Sequence, residues 1–178
     1  MKIRKLTILD HIRQLIKDYP NFPSEGIVFK DISPLLSNPK EFKYIIQKMA
    51  NNEILRNADA IVSIDARGFL FGTALSFELS KPIILARKPG KLPGELITKS
   101  YKLEYGSNSL SIQKDSIDNF KSFAIVDDLL ATGGTVSCVS EILNEANKLV
   151  TGLSVFIELK KLNGRKNFSF KVDSQLII

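Results

Sequence analysis

Apolar positions along this 178-residue chain alternate between two kinds of run. Ile8, Leu9, Ile12, Leu15 and Ile16 recur at helical spacing and predict a helix from Ile8 to Tyr19, closed by Pro20. Pro20-Asn-Phe-Pro23 reads as a loop, and Gly26 to Asp31 as a short extended piece. Phe42, Ile45, Ile46 and Met49 predict a second helix from Pro39 to about Asn51. Four later runs are short and continuously apolar: Ala60–Ile64, Pro82–Ala86, Phe123–Val126 and Leu153–Ile157. Runs of that length without alternation predict strands buried on both faces. Helical stretches follow two of them, one through Leu79 and one through Val136, Val139, Ile142, Leu143 and Ala146. Strands alternating with helices imply right-handed crossovers, hence an α/β fold with a mostly parallel twisted sheet flanked by helices. From Arg87 to about Ile112 the pattern breaks around Gly90, Pro93, Gly94 and Gly106, as expected of a long functional loop. A polar segment near Lys160–Lys166 then leads to an extended tail.

Composition narrows the class. The length fits one domain spanning 1–178, and 44% hydrophobic with 25% charged residues is ordinary for a globular protein. No apolar run approaches the ~18 residues of a membrane span, so no membrane is expected. The basic start Met1-Lys-Ile-Arg-Lys-Leu lacks a following apolar core or cleavage site, and a cytoplasmic location is expected. Cys138 is the single cysteine, which excludes an internal disulfide, and it reads as a small core residue. His11 is the single histidine and cannot build a metal site or a Ser-His-Asp triad alone. The net charge of +6 comes from scattered lysines without a nucleic-acid motif, so no nucleic acid is expected.

The densest chemistry lies in Phe123-Ala-Ile-Val-Asp127-Asp128-Leu-Leu-Ala131-Thr132-Gly133-Gly134-Thr135. The order is apolar strand, two carboxylates, a loop of small and hydroxylated residues, then a helix. Backbone N–H groups, two threonine hydroxyls and a helix N-terminus converge there on an anion such as phosphate. Two acids beside a phosphate need a group between them, and a ribose supplies it: its hydroxyls donate to Asp127 and Asp128 while its 5′-phosphate occupies Ala131–Thr135. No lysine follows the glycines, so this is not a P-loop. The glycine spacing also differs from the dinucleotide fingerprint.

Two further clusters fall at strand ends, where parallel sheets bind ligands. Asp65-Ala66-Arg67-Gly68 offers a guanidinium fork suited to a diphosphate. Arg87-Lys88-Pro-Gly-Lys91 gathers three positive charges in five residues. Within the long loop, Tyr101, Glu104 and Tyr105 lie in an aromatic-rich segment that can fold as a lid, or as a simple hairpin tethered by aromatics.

The acidic pair and its loop resemble the signature of the type I phosphoribosyltransferases, a family using phosphoribosyl pyrophosphate. Phe22-Pro-Ser-Glu-Gly-Ile-Val-Phe-Lys-Asp-Ile-Ser33, Ala66-Arg-Gly-Phe-Leu-Phe-Gly72, Arg87-Lys-Pro-Gly-Lys-Leu-Pro-Gly94 and Tyr101-Lys-Leu-Glu-Tyr-Gly106 resemble its adenine-using branch. The match runs from about residue 10 to 160; the tail after Phe168 matches weakly, and Lys30 stands where arginine is common. The resemblance implies a hood of about residues 1–35 and 158–178, a flexible catalytic loop of about 88–112, and a homodimer. It implies purine salvage: transfer of a 5-phosphoribosyl group to adenine, giving AMP and pyrophosphate. Mg²⁺ is implied as cofactor, held mainly through substrate with no direct protein ligand. Asp65, Ala66, Arg67, Arg87, Lys88 and Lys91 are implied at the pyrophosphate, with Arg87 reaching across the dimer. Val28, Phe29, Lys30 and Leu159 are implied at adenine, the ring lying between Phe29 and Leu159. Glu104 is the implied general acid/base beside the catalytic Arg67, Asp127 and Asp128, and a cis peptide bond is implied within Asp65-Ala66-Arg67. A branch using xanthine or a 6-oxopurine, and a non-catalytic sensor of phosphoribosyl pyrophosphate, are the rivals; the lid with Glu104 argues against the sensor.

Overall fold

The computed structural model describes residues 7–102 and 107–178. The chain divides into two compact units, Met1–Ile45 and Ile46–Ile178.

In the first unit, helix α1 (Ile8–Gln14) opens on a reciprocal cap. The Thr7 hydroxyl accepts from the Asp10 N–H at 3.2 Å, and the Asp10 carboxylate accepts from the Thr7 N–H at 2.9 Å. The helix stops well short of Tyr19. Lys17–Pro20 instead forms strand β1, antiparallel to β2 (Val28–Asp31), with Tyr19 opposite Phe29. Pro20 disfavours helical geometry at Tyr19, and the cross-strand ladder satisfies backbone groups a longer helix would otherwise have paired. The Lys30 Nζ–Asp18 Oδ2 contact of 2.6 Å ties the same two strands. Helix α2 (Ser33–Leu36) buries Leu35, and helix α3 (Pro39–Ala50), predicted nearly to its end, crosses into the second unit.

The second unit continues with α4 (Glu53–Arg56), β3 (Ala60–Ile64), α5 (Gly68–Leu79) and β4 (Ile83–Ala86). Next come β5 (Leu96–Lys102), β6 (Ser107–Gln113), α6 (Lys114–Asp118), β7 (Ser122–Leu130), α7 (Gly134–Glu145), β8 (Leu149–Glu158) and β9 (Val172–Ile177). Five strands form one parallel sheet in the order β4-β3-β7-β8-β9. Every residue of β3 is buried, as its unbroken apolar run requires of a strand covered on both faces. Helix α7 buries Val136, Val139, Ile142 and Leu143, its predicted stripe. Helix α5 approaches the sheet closely: a Cβ at Gly72 would lie 2.3 Å from the Ser63 hydroxyl. Phe71 of α5 stacks on Phe156 of β8 with ring centroids 5.6 Å apart. Each such fully buried apolar side chain contributes about 1.5–3 kcal/mol.

Much of the stretch expected as a long loop is an antiparallel hairpin, β5 with β6, in register from Leu96↔Gln113 to Lys102↔Ser107. This is the hairpin alternative of the sequence reading, with longer strands than its polar composition suggests and with Leu110 and Ile112 buried. The hairpin docks on α7, where the Cys138 thiol donates to the Lys99 carbonyl at 3.2 Å and Lys99 pairs with Glu145. No helix among the described residues is long and apolar enough to cross a membrane.

Candidate functional site

Strand order dictates where a ligand can enter. From β3 the chain passes through α5 outward to β4; from β7 it passes through α7 to β8, on the other side. The crossovers thus diverge between β3 and β7, and the crevice beyond their carboxyl ends is the switch point of the sheet. Both strongest motifs end there.

The acidic pair lies inside β7 rather than after it, a correction to the expected strand end. Asp127 stands opposite Val155 and Leu130 opposite Glu158, because β8 runs alongside to Glu158. On the other edge the ladder with β3 finishes at the Ser63↔Val126 pair, and β3 itself ends at Ile64. The two carboxylates therefore occupy the first positions of β7 beyond its partner strand. The chain leaving β3 fills part of that step. Asp65–Ala66 is a cis peptide bond, and Arg67 Nη2 reaches Asp128 Oδ2 at 2.7 Å. Gly68 then lies so near β7 that a Cβ there would meet Asp127 Oδ1 at 2.8 Å and the Val126 carbonyl at 3.2 Å. Glycine at this position is what lets α5 bring Arg67 onto the acids.

Electrostatics follow from that burial. Asp127 is 8% and Asp128 5% exposed. Burial first, and the neighbouring Asp128 charge second, push the Asp127 carboxyl well above the usual carboxylate range. Its Oδ1 still accepts the Asp128 N–H at 2.9 Å. Burial raises Asp128 too, against the opposing pull of the Arg67 guanidinium. The site is thus short of positive charge, and a cation developing in the crevice would favour both ionised carboxylates.

Beyond Leu130 the chain turns through Gly133, whose φ of +89° only glycine adopts without strain, into the first turn of α7 at Gly134. Ala131–Thr135 thus caps a helix N-terminus, as expected of an anion-binding loop. Three residues that local pattern did not reveal pack behind it. Asn167 Nδ2 donates to the Thr132 carbonyl at 2.8 Å. A Cβ at Gly164 would lie 2.3 Å from the Ala131 carbonyl oxygen, and one at Gly133 2.7 Å from the Phe168 ring.

The basic cluster after β4 splits. Arg87 Nε donates to Asp65 Oδ2 at 3.0 Å, its Nη1 to the Lys91 carbonyl at 3.3 Å, and its guanidinium lies 5.7 Å from the Phe69 ring centroid. Arg87 is therefore joined to the Asp65–Arg67 turn of its own chain, while Lys88 and Lys91 are exposed. Tyr101 of the hairpin is partly buried, and burial raises its hydroxyl pKa. Glu104 and Tyr105 lie outside the described residues. Leu159, just after β8, is half-buried and donates its N–H to the Leu130 carbonyl at 2.9 Å. Val28, Phe29 and Lys30 form β2 of the first unit; Val28 is exposed and Phe29 half-buried, its ring 5.2 Å from that of Phe22. Among the described residues, no three His, Cys, Asp or Glu side chains gather as a metal cage.

Comparison with known proteins agrees with this geometry. Residues 32–176 match the family model of the phosphoribosyl transferase domain. An adenine phosphoribosyltransferase of Prochlorococcus marinus strain MIT 9211 is 62% identical over 168 residues, covering 94% of this chain and 98% of that one. The crystal structure of the enzyme of that name from Thermoanaerobacter pseudethanolicus superposes with a TM-score of 0.89 at 39% identity, covering 97% of this chain and all of that one. The corresponding Saccharomyces cerevisiae protein, crystallised with adenine and an imino-altritol bisphosphate, superposes with a TM-score of 0.88 at 36% identity, covering 95% and 98%.

Proposed function

The chain belongs to the phosphoribosyltransferase family, among its adenine phosphoribosyltransferases, and on that premise we propose that it transfers the 5-phosphoribosyl group of phosphoribosyl pyrophosphate to adenine, releasing AMP and pyrophosphate. The observation that carries this reading is the meeting of Asp127, Asp128 and Arg67 at the switch point, with the Ala131–Thr135 loop on the same strand's continuation.

In this reading the ribose hydroxyls donate to Asp127 and Asp128, and the 5′-phosphate lies on the N–H groups and hydroxyls of Ala131, Thr132, Gly133, Gly134 and Thr135. Loss of pyrophosphate leaves positive charge on the sugar. The two buried carboxylates favour that charge more than they favour the neutral ground state, which is the differential binding that lowers a barrier. Arg67, already paired with Asp128, orients that carboxylate and faces the leaving group with Asp65, Ala66, Arg87, Lys88 and Lys91. Two adjacent carboxylates beside the proposed ribose hydroxyls fit a hard cation bound largely through substrate oxygens and water. When bound, Mg²⁺ supplies neutralising charge to the pyrophosphate.

Adenine is assigned to Val28, Phe29, Lys30 and Leu159: backbone groups of Val28 and Lys30 read its edge, and Phe29 and Leu159 supply apolar faces. Glu104 handles the purine proton, a role typically contributing ~10²–10⁴-fold. Tyr101 and Tyr105 belong to the lid that excludes water from the activated sugar. The assignment includes one catalytic domain over 1–178, with hood elements of about 1–35 and 158–178 and a catalytic loop of about 88–112. It includes a homodimer, supported by Phe77, 89% exposed, on the same face of α5 as Leu70, 44% exposed. It includes a cytoplasmic location.

The test is to supply purified protein with phosphoribosyl pyrophosphate, Mg²⁺ and, in turn, adenine, hypoxanthine, guanine, xanthine and orotate. AMP from adenine, with the other bases at least ~10²-fold slower, is expected. Preference for a 6-oxopurine would overturn the adenine assignment.

A further inference from the structure

The geometry points to Asn167 as a positioning residue that orients the phosphate loop, acting from a brace made by residues 164–168. This rests on the assignment of Ala131–Thr135 to the 5′-phosphate. The brace is held at its base by Arg165, whose three guanidinium nitrogens all donate to the sheet. Its Nε donates to Glu158 Oε1 at 3.0 Å and its Nη2 to Glu158 Oε2 at 2.5 Å, while Nη1 reaches the Val172 carbonyl at 2.7 Å and Nη2 also reaches Ser174 Oγ at 3.1 Å. Ser174 Oγ in turn donates to Glu158 Oε2 at 2.7 Å. One side chain thus fastens the segment to both β8 and β9.

From that anchor the segment presses on the loop at three points. Gly164 lies against the Ala131 carbonyl, so closely that a Cβ would come within 2.3 Å of its oxygen. Phe168 lies under Gly133, 2.7 Å from where a Cβ would be. Asn167 makes the directional contact, its amide donating to the Thr132 carbonyl at 2.8 Å. In a planar trans peptide the C=O and the following N–H point in opposite directions. Drawing the Thr132 carbonyl toward Asn167 therefore turns the Gly133 N–H away from the brace. That N–H belongs to a left-handed residue directly before α7, where successive amides form an anion-binding concavity. Without the Asn167 amide the Thr132–Gly133 peptide is free to rotate, and Gly133, lacking a Cβ, offers little resistance.

The consequence is selective. Ligands bearing the 5′-phosphate should feel the loss of Asn167, and ligands without it should not. Affinities of AMP and adenosine are compared by calorimetry for the unaltered protein, Asn167→Ala and Asn167→Leu; the leucine keeps a similar branched shape and stays neutral but cannot donate. Both variants are expected to weaken AMP about three- to tenfold, the range for one neutral hydrogen bond, with adenosine affinity changed less than twofold. In steady-state assays KM for phosphoribosyl pyrophosphate should rise by a similar factor while KM for adenine stays put. AMP affinity unchanged in both variants, or AMP and adenosine weakened alike, would overturn the role of Asn167 and leave the proposed reaction standing. Failure of the unaltered protein to bind AMP would overturn both.

Discussion

Gly68→Ala is the sharpest local perturbation of this site, because it adds one methyl group where the two motifs touch. The new Cβ would lie 2.8 Å from Asp127 Oδ1 and 3.2 Å from both the Asp127 Cα and the Val126 carbonyl. Ordinary contacts there need at least 3.4 Å. Two of the three neighbours are backbone of the central strand β7, paired on both sides at Val126, and cannot give way. Either the start of α5 retreats by about half an ångström or the Asp127 carboxylate rotates. Overpacking of this kind costs ~1–3 kcal/mol, offset in part by the ≲1 kcal/mol that alanine gains over glycine in a helix. A net loss of about 1–2 kcal/mol lowers Tm by about 2–8 °C for a chain of this size. The larger effect is on chemistry. Arg67 precedes the helix and moves with it, stretching its 2.7 Å contact with Asp128. Since a 1 Å misplacement can cost ~10²-fold, we expect kcat/KM to fall about tenfold or more. Thermal melts and initial rates of AMP formation measure the two effects. A variant with unaltered Tm and unaltered kcat/KM would refute the close approach of α5 to the acidic pair as the device that assembles the site.

Asp127→Asn tests the electrostatics. Because the Asp127 carboxyl is raised in the folded state, the folded protein binds that proton more tightly than the unfolded chain, and stability is lost as pH rises from the ordinary value of 3.8 through the raised one. The neutral amide escapes this loss, so the variant should gain stability over the parent in urea melts as pH rises above 3.8 while losing activity ~10²-fold; a variant that falls further behind the parent as pH rises contradicts this. Arg165→Met gives the opposite slope. The Arg165 hydrogen bonds hold the Glu158 carboxyl below its ordinary value of 4.5, so they contribute stability above that pH that is lost as pH falls through the lowered value. With Arg165 44% exposed, screening limits the gap to about 1–2 kcal/mol at pH 7, shrinking toward pH 3; a gap independent of pH would argue against the ion pair. Glu104→Leu should lower kcat ~10²–10⁴-fold with phosphoribosyl pyrophosphate affinity nearly intact, and unchanged turnover would remove Glu104 from the mechanism.

How much of this was legible in the chain depended on whether local pattern or distant partners set each element. Ala60–Ile64 and the end of the helix at Leu79 are legible nearly to the residue, because an unbroken apolar run and the apolar stretch after Gly68 are written in neighbouring positions. The acidic pair and the glycine loop after it stand out in the sequence, yet the pair's place within β7 does not. That strand continues only because β8 lies beside it to Glu158. The first helix ends earlier than its spacing predicts for a similar reason: Leu15 and Ile16 keep the helical spacing, but Lys17–Pro20 finds its partners in Val28–Asp31. Of the two readings open for the long polar segment, lid or hairpin, the described part takes the hairpin, whose extent from Leu96 to Gln113 is set by cross-strand pairing rather than by an apolar run. The brace at 164–168 was invisible, since Asn167 meets Thr132 across 35 residues of sequence.

The most direct test of the account is AMP formation by the double variant Asp127→Asn, Asp128→Asn, measured beside the parent with saturating phosphoribosyl pyrophosphate, adenine and Mg²⁺. Removing both carboxylates from beside the developing ribose cation should lower kcat by at least ~10²-fold in a chain that still melts cooperatively. Turnover equal to that of the parent would contradict the claim that these two residues hold the sugar on which the reaction occurs.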